Sequence, residues 1–145
     1  MTTIAYKDGV IAYDSQITRG NTITYDDYEK LKVVKGVKFV MCGATSDIEA
    51  FIDAYFGTPT AANLDASALI VEGDRIWCAG HNKDDGLWRS MVELDRPYAI
   101  GSGSDHALTA MDMGATAYQA VEKAAKRDVS TGGKIRTLRV SGQEG

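Results

Sequence analysis

Thr2-Thr3-Ile4-Ala5-Tyr6-Lys7-Asp8-Gly9-Val10-Ile11-Ala12-Tyr13-Asp14-Ser15 reads as two strands folded back on each other. Thr2 to Tyr6 alternates and is rich in β-branched residues, Asp8-Gly9 is a tight-turn pair, and Val10 to Ser15 returns. The same grammar recurs downstream. Leu31 to Val34 and Val37 to Met41 flank Lys35-Gly36, and Ala68 to Val71 and Arg75 to Ala79 flank Glu72-Gly73-Asp74. Gly20-Asn21 breaks the chain before a short extended piece, Thr22 to Tyr25, and a further strand or pair is expected between Leu87 and Ile100.

Two segments carry helical spacing instead. Ser46-Asp47-Ile48-Glu49 has the form of a capping box, and Ile48, Phe51, Ile52 and Tyr55 follow at helical intervals until Gly57 and Pro59. The small-residue loop Gly101-Ser102-Gly103-Ser104 precedes a second, alanine-rich pattern, expected as one helix over about Asp105 to Lys126. Arg127 to Gly133 reads as a turn, Lys134 to Val140 as a closing strand and Ser141 to Gly145 as a polar tail. Hairpins imply antiparallel pairing. Many short strands with few helices imply two packed sheets with helices outside, in one α+β domain spanning 1–145.

Composition bounds the function. With 145 residues there is room for one core. The net charge is −4 and the basic residues are scattered, which argues against a nucleic-acid partner. No apolar run spans a bilayer, and the start lacks a basic segment followed by an apolar core, so a cytosolic protein is expected. Cys42 and Cys78 sit in apolar segments and read as buried free thiols. His81 and His106 show no metal-ligand spacing, and no metal or cofactor is called for. The loop at 101–104 lacks the glycine spacing and the Gly-Lys-Ser/Thr of a phosphate cradle.

The chemistry starts at Thr2. A hydroxyl needs a base, and a free α-amine with a pKa of about 7.7–8 is one that a chain-terminal threonine carries itself. Asp14 ends the second strand and Lys30 follows sixteen residues later. A lysine ammonium near that threonine would steady a developing alkoxide and lower the amine's pKa, and a carboxylate would hold the lysine in place. Taken singly, each residue has a plainer reading: Asp14 and Lys30 as solvated loop charges, Gly43 as a strand end, Ser104 as a helix cap, Asp128 and Thr131 as turn formers.

Read together, five segments resemble the proteasome β-subunit family, especially its bacterial HslV type. They are Thr2-Thr3-Ile4; Asp14-Ser15-Gln16 with Gly20-Asn21-Thr22 and Lys30; Val40 to Asp47; Ala99-Ile100-Gly101-Ser102-Gly103; and Arg127 to Gly133, where Thr131 stands in the family's serine place. The resemblance implies an αββα sandwich of two antiparallel sheets between helix layers. It implies Thr2 as nucleophile with its amine as base, Lys30 and Asp14 as its tuning pair, and the Gly43 N–H as oxyanion donor. Ser102, Asp128 and Thr131 would surround the amine. Thr18 and Thr45 would pair with the substrate backbone, and Met41, Tyr28 and Ile17 would wall an apolar specificity pocket. It also implies a homo-oligomeric ring that cleaves unfolded polypeptide, with an ATP-dependent AAA+ unfoldase as partner; the chain has no Walker motif of its own.

Two departures qualify the resemblance. Only Met1 precedes Thr2, and a small second residue is the usual substrate of methionine aminopeptidase, so exposure of Thr2 is expected without self-cleavage. A retained Met1 would leave an amide where the base should be. The family also has a pair of helices after the Gly43 segment, whereas here only Asp47 to Phe56 looks helical and the second member is missing or reduced. An inactive ring subunit and a small-molecule amidohydrolase using the same amine–hydroxyl chemistry are the alternative readings.

Overall fold

The computed structural model describes residues 2–60 and 63–140; Met1 and the tail at 141–145 lie outside the described residues. The opening hairpin forms as read: β1 (Thr3–Lys7) pairs antiparallel with β2 (Val10–Tyr13), from Ile4 opposite Tyr13 to Lys7 opposite Val10. Asp8 and Gly9 both take positive φ, 51° and 80°, the conformation a two-residue turn needs to match strand twist. The next strands, β3 (Ile17–Arg19) and β4 (Thr22–Tyr25), form a small two-stranded sheet of their own.

β5 (Leu31–Val34), β6 (Val37–Gly43), β7 (Ala66–Glu72), β8 (Arg75–Asn82) and β9 (Gly86–Met91) form a five-stranded antiparallel meander. β10 (Tyr98–Gly101) and β11 (Arg136–Arg139) flank the opening hairpin, giving a four-stranded sheet in the order β10-β1-β2-β11. The helices are α1 (Ile48–Tyr55), α2 (Ser104–Asp112) and α3 (Ala117–Arg127).

Strand alternation assigns the layers. Ile4, Tyr6, Ile11 and Tyr13 meet Val40, Cys42, Leu69, Val71, Ile76 and Cys78 between the sheets. On the outer face of the four-stranded sheet, Ala5 and Ala12 are small enough to admit Ala107, Met111, Ala120, Val121 and Ala124 of α2 and α3. On the outer face of the other sheet, Phe39, Met41, Ala68, Ile70 and Ala79 pack under Ile48, Phe51 and Ile52 of α1. The result is the expected αββα sandwich. Both cysteines are buried and free.

Three local expectations are corrected. The single helix over 105–126 is two, because Gly114 (φ 107°) ends α2 and Thr116 starts α3 with a capping box closed by Gln119. The capping box at Ser46–Glu49 does not form: a single 3-10 turn at Thr45–Asp47 leads into α1, and the Asp47 carboxylate instead accepts from the Asp65 N–H at 2.8 Å. The closing strand is shorter than 134–140, spanning Arg136–Arg139. Among the described residues, no helix stands between α1 and β7, so the second helix of that layer is absent there. No helix of the described residues is long and apolar enough to cross a membrane.

Candidate active site

Thr2, Asp14 and Lys30 come from three places that the sandwich brings together. Thr2 precedes β1, Asp14 follows β2, and the β1–β2 register puts them side by side. Lys30 precedes β5 and is tied across to β6 by the Met41 N–H donating to its carbonyl at 2.9 Å. All three are buried, at 1%, 0% and 3% exposure.

Their contacts are direct. The Lys30 ammonium donates to Thr2 Oγ1 and, at 2.8 Å, to Asp14 Oδ1. Thr2 Oγ1 donates to the same Asp14 oxygen, which also accepts from the Thr3 N–H at 3.3 Å. The other carboxylate oxygen accepts from the Gly132 N–H at 3.0 Å. Burial pushes the Lys30 ammonium below its ordinary pKa, opposed by the charge and hydrogen bond of Asp14. A hydroxyl held between an ammonium and a carboxylate away from water is strongly polarised, and the low-dielectric surroundings strengthen each contact.

A second polar cluster adjoins it. Ser102 Oγ donates to Asp128 Oδ2 at 2.5 Å and lies 3.4 Å from the Thr2 carbonyl oxygen. Thr131 Oγ1 donates to the same Asp128 oxygen at 2.6 Å, and the Ser130 N–H donates to Oδ1 at 3.1 Å. Burial raises the Asp128 carboxyl, but hydrogen bonds from Ser102, Thr131 and the Ser130 N–H outweigh it and hold the pKa below the usual value. Because Thr131 spends its proton on Asp128, Thr3 Oγ1 is the donor in the 2.7 Å contact between the two threonines.

Gly43 closes β6 with φ 113°, and a Cβ there would stand 2.4 Å from the Asp65 carbonyl oxygen, so the position admits only glycine. A pocket beside Thr2 is lined by Ile17, Tyr28, Lys30, Met41, Cys42, Gly43, Thr45 and Ile48. Of the expected site residues, Thr18 alone stays outside both clusters and the pocket lining: it lies half-buried on β3, one residue beyond Ile17. The sequence reading missed Thr3, Gly132, Cys42 and Ile48. Gly132 was legible, since it stands in the turn at 127–133; Ile48 carried only a helical spacing.

Solved structures share this architecture. The chain matches Thiobacillus denitrificans BPH with a TM-score of 0.70 and 19% identity, over 97% of this chain and 98% of that one. BPH in complex with epoxomicin matches at 0.69 and 18%, with the same coverage. Eukaryotic HslV from Trypanosoma brucei matches at 0.70 and 19%, over 95% of this chain and 98% of that one. The chain therefore has the proteasome-β/HslV-like sandwich fold. No family model matches the chain, and no curated protein sequence does.

Proposed function

We propose that the chain is a threonine peptidase in which Thr2, freed of Met1, is the nucleophile. One observation carries the reading: Thr2 Oγ1 is hydrogen-bonded at once to the buried Lys30 ammonium and to Asp14. The base at hand is an α-amine, whose ordinary pKa of about 8 leaves a sizeable neutral share near neutral pH and which a chain-terminal threonine carries beside its own hydroxyl. The Thr2 amine therefore takes the hydroxyl proton while Lys30 steadies the forming alkoxide and Asp14 anchors Lys30.

The oxygen attacks the scissile carbonyl, and the carbonyl oxygen becomes an oxyanion facing the Gly43 N–H, a donor typically worth about 2.7–4 kcal/mol. The C–N bond breaks as the Thr2 ammonium returns its proton to the leaving amine. The ester left on Oγ1 is then cleaved by water with the same amine as base. Ser102, Asp128 and Thr131 order the surroundings of that amine. Thr18 and Thr45 align the substrate backbone, and Ile17, Tyr28 and Met41 receive an apolar side chain. By the fold likeness we extend the reading to a homo-oligomeric ring acting on unfolded polypeptide delivered by an ATP-dependent unfoldase.

The test is mass spectrometry of protein from cells, with and without epoxomicin, alongside hydrolysis of fluorogenic peptides. Loss of one methionine, an adduct on the Thr2 peptide and no turnover by Thr2→Ala are expected. Unchanged turnover in Thr2→Ala, or a retained Met1 with no adduct, refutes the mechanism.

A further inference from the structure

Arg136 opens β11 at one edge of the four-stranded sheet, while Lys30 leads into β5 at an edge of the other. The segment before Lys30, 26–30, belongs to no strand or helix. The backbone of this irregular approach is held by the Met41 N–H on the Lys30 carbonyl and by the Tyr28 N–H on the Ser15 carbonyl, each at 2.9 Å, and its side chains are held by a third group. The Arg136 guanidinium reaches that segment at three points: Nη2 is 2.7 Å from Asp27 Oδ1, Nε is 3.1 Å from Glu29 Oε2 and Nη1 is 3.4 Å from the Tyr28 carbonyl. Nη1 also donates to Ser15 Oγ, whose own proton goes to the Lys134 carbonyl at 2.5 Å.

Glu29 completes the circuit. Its Oε1 accepts from the Tyr13 hydroxyl and from the Leu31 N–H, each at 2.8 Å. The residues on either side of Asp14, Tyr13 and Ser15, are thereby joined to those on either side of Lys30, Glu29 and Leu31. Arg136 is the cation that joins them. A planar fork with five donors suits this task, because several acceptors fix its plane and its neighbours at once.

We propose that Arg136 is a positioning residue that seats the Lys30 ammonium on Thr2 Oγ1 by tying residues 27–29 to Ser15. Its kinetic consequence rests on the peptidase reading; its structural consequence does not. With the clamp released, Lys30 gains a route to water, which a desolvated ammonium favours. The groups facing Lys30 are Asp14 from the end of β2, Cys42 from β6 and Thr2 ahead of β1, whose freed amine titrates in its own right; changing Arg136 replaces none of them.

Two variants test this: Arg136→Met keeps the stem and loses the fork, and Arg136→Lys keeps the charge. Lys30 is followed by NMR titration of 13C-labelled lysine side chains, its signal assigned by its loss in Lys30→Arg. In Arg136→Met the Lys30 titration is expected to move up toward the ordinary lysine range. In the same variant kcat is expected to fall by roughly 10–100-fold with KM changed by less than about threefold, as for a misplaced catalytic group. Arg136→Lys should restore part of both.

Thermal unfolding reports whether each variant is folded, and Glu29→Gln loosens the same clamp from its other side should Arg136→Met fail to fold. A folded variant with Lys30 titration and kcat both unmoved overturns the proposal. If the unaltered protein hydrolyses no peptide, the peptidase reading fails and the titration alone decides the positioning role.

Discussion

Replacing Asp14 by asparagine should destabilise the protein by about 3–5 kcal/mol near neutral pH, the range for breaking a buried ion pair. Asp14 is fully buried and accepts four donors: Thr2 Oγ1, the Thr3 N–H, the Lys30 ammonium and the Gly132 N–H. An amide offers one oxygen, so its NH2 group must face either the Lys30 side or the Gly132 N–H as a second donor. The larger loss is the counter-charge of a lysine whose pKa burial already lowers. That penalty has a ceiling, because the lysine can shed its proton instead. The cost of doing so is ~1.36 kcal/mol per pH unit below ~10.4, hence ~4.6 kcal/mol at about pH 7 and ~1.2 at about pH 9.5. The sign follows from linkage. A lysine with a depressed folded pKa binds fewer protons folded than unfolded between its two pKa values, so stability rises with pH across that window. Losing Asp14 removes the influence that holds the pKa up, which widens the window downward in the variant. Urea unfolding, read by the fluorescence of Trp77 and Trp88, should therefore show the gap between the two proteins narrowing by roughly 2–3 kcal/mol between about pH 7 and pH 9.5. An equal gap at both values, or one under ~1 kcal/mol at neutrality, would refute the claim that Lys30 is a buried cation dependent on Asp14.

Gly43→Ala should cost about 2–5 kcal/mol, combining backbone strain at φ 113° with the collision at the Asp65 carbonyl; chemical denaturation that matches the parent would refute it. For Asp128→Asn the expected loss is about 1 kcal/mol at neutral pH, kept low because the side chain is partly in water. Asp128 is held below its ordinary value, so its contribution is full above the unfolded carboxylate pKa and fades as pH falls through the depressed folded one. Acid titration of stability should show the two proteins converging only in that acid range. Thr116→Ala removes the capping box of α3, worth about 1 kcal/mol, which calorimetry should register as a drop of about 3–5 °C in Tm.

The hairpins were legible because their turns are chemically explicit. Asp8-Gly9 and Lys35-Gly36 both adopt paired positive φ values, and alternation on either side fixes which residues face the core. The polar clusters were legible only in combination. One at a time Asp14 and Lys30 read as solvated loop charges and Asp128 and Thr131 as turn formers; the resemblance of their segments to one known family is what joined them and Ser102. The break at Gly114 was readable in principle, as a glycine followed by Thr116-x-x-Gln119, but the alanine-rich periodicity on both sides masked it. Arg136 was not readable. Its partners Ser15, Asp27 and Glu29 lie more than a hundred residues away, and they meet it only because β11 returns beside β2.

The shortened helix layer and the polar clusters draw on different parts of the sandwich. Thr2, Asp14, Lys30, Ser102, Asp128 and Thr131 are held by the four-stranded sheet, the approach to β5, the loop before α2 and the turn after α3. α1 adds Ile48 to the pocket wall and no member of either cluster. On the outer face beside α1, aromatic rings and one long cation pack on each other. Tyr55 and Phe56 stack edge-on with Phe39, with ring centres 5.2 and 5.9 Å from it, and the Arg89 guanidinium lies 4.0 Å from the Trp77 ring centre while donating to the Tyr55 hydroxyl. A long cation spread over aromatic faces shields apolar area at a fraction of a helix's length. This outer packing and the hydrogen bonds on Thr2 share no residue, so a change in one leaves the partners of the other in place.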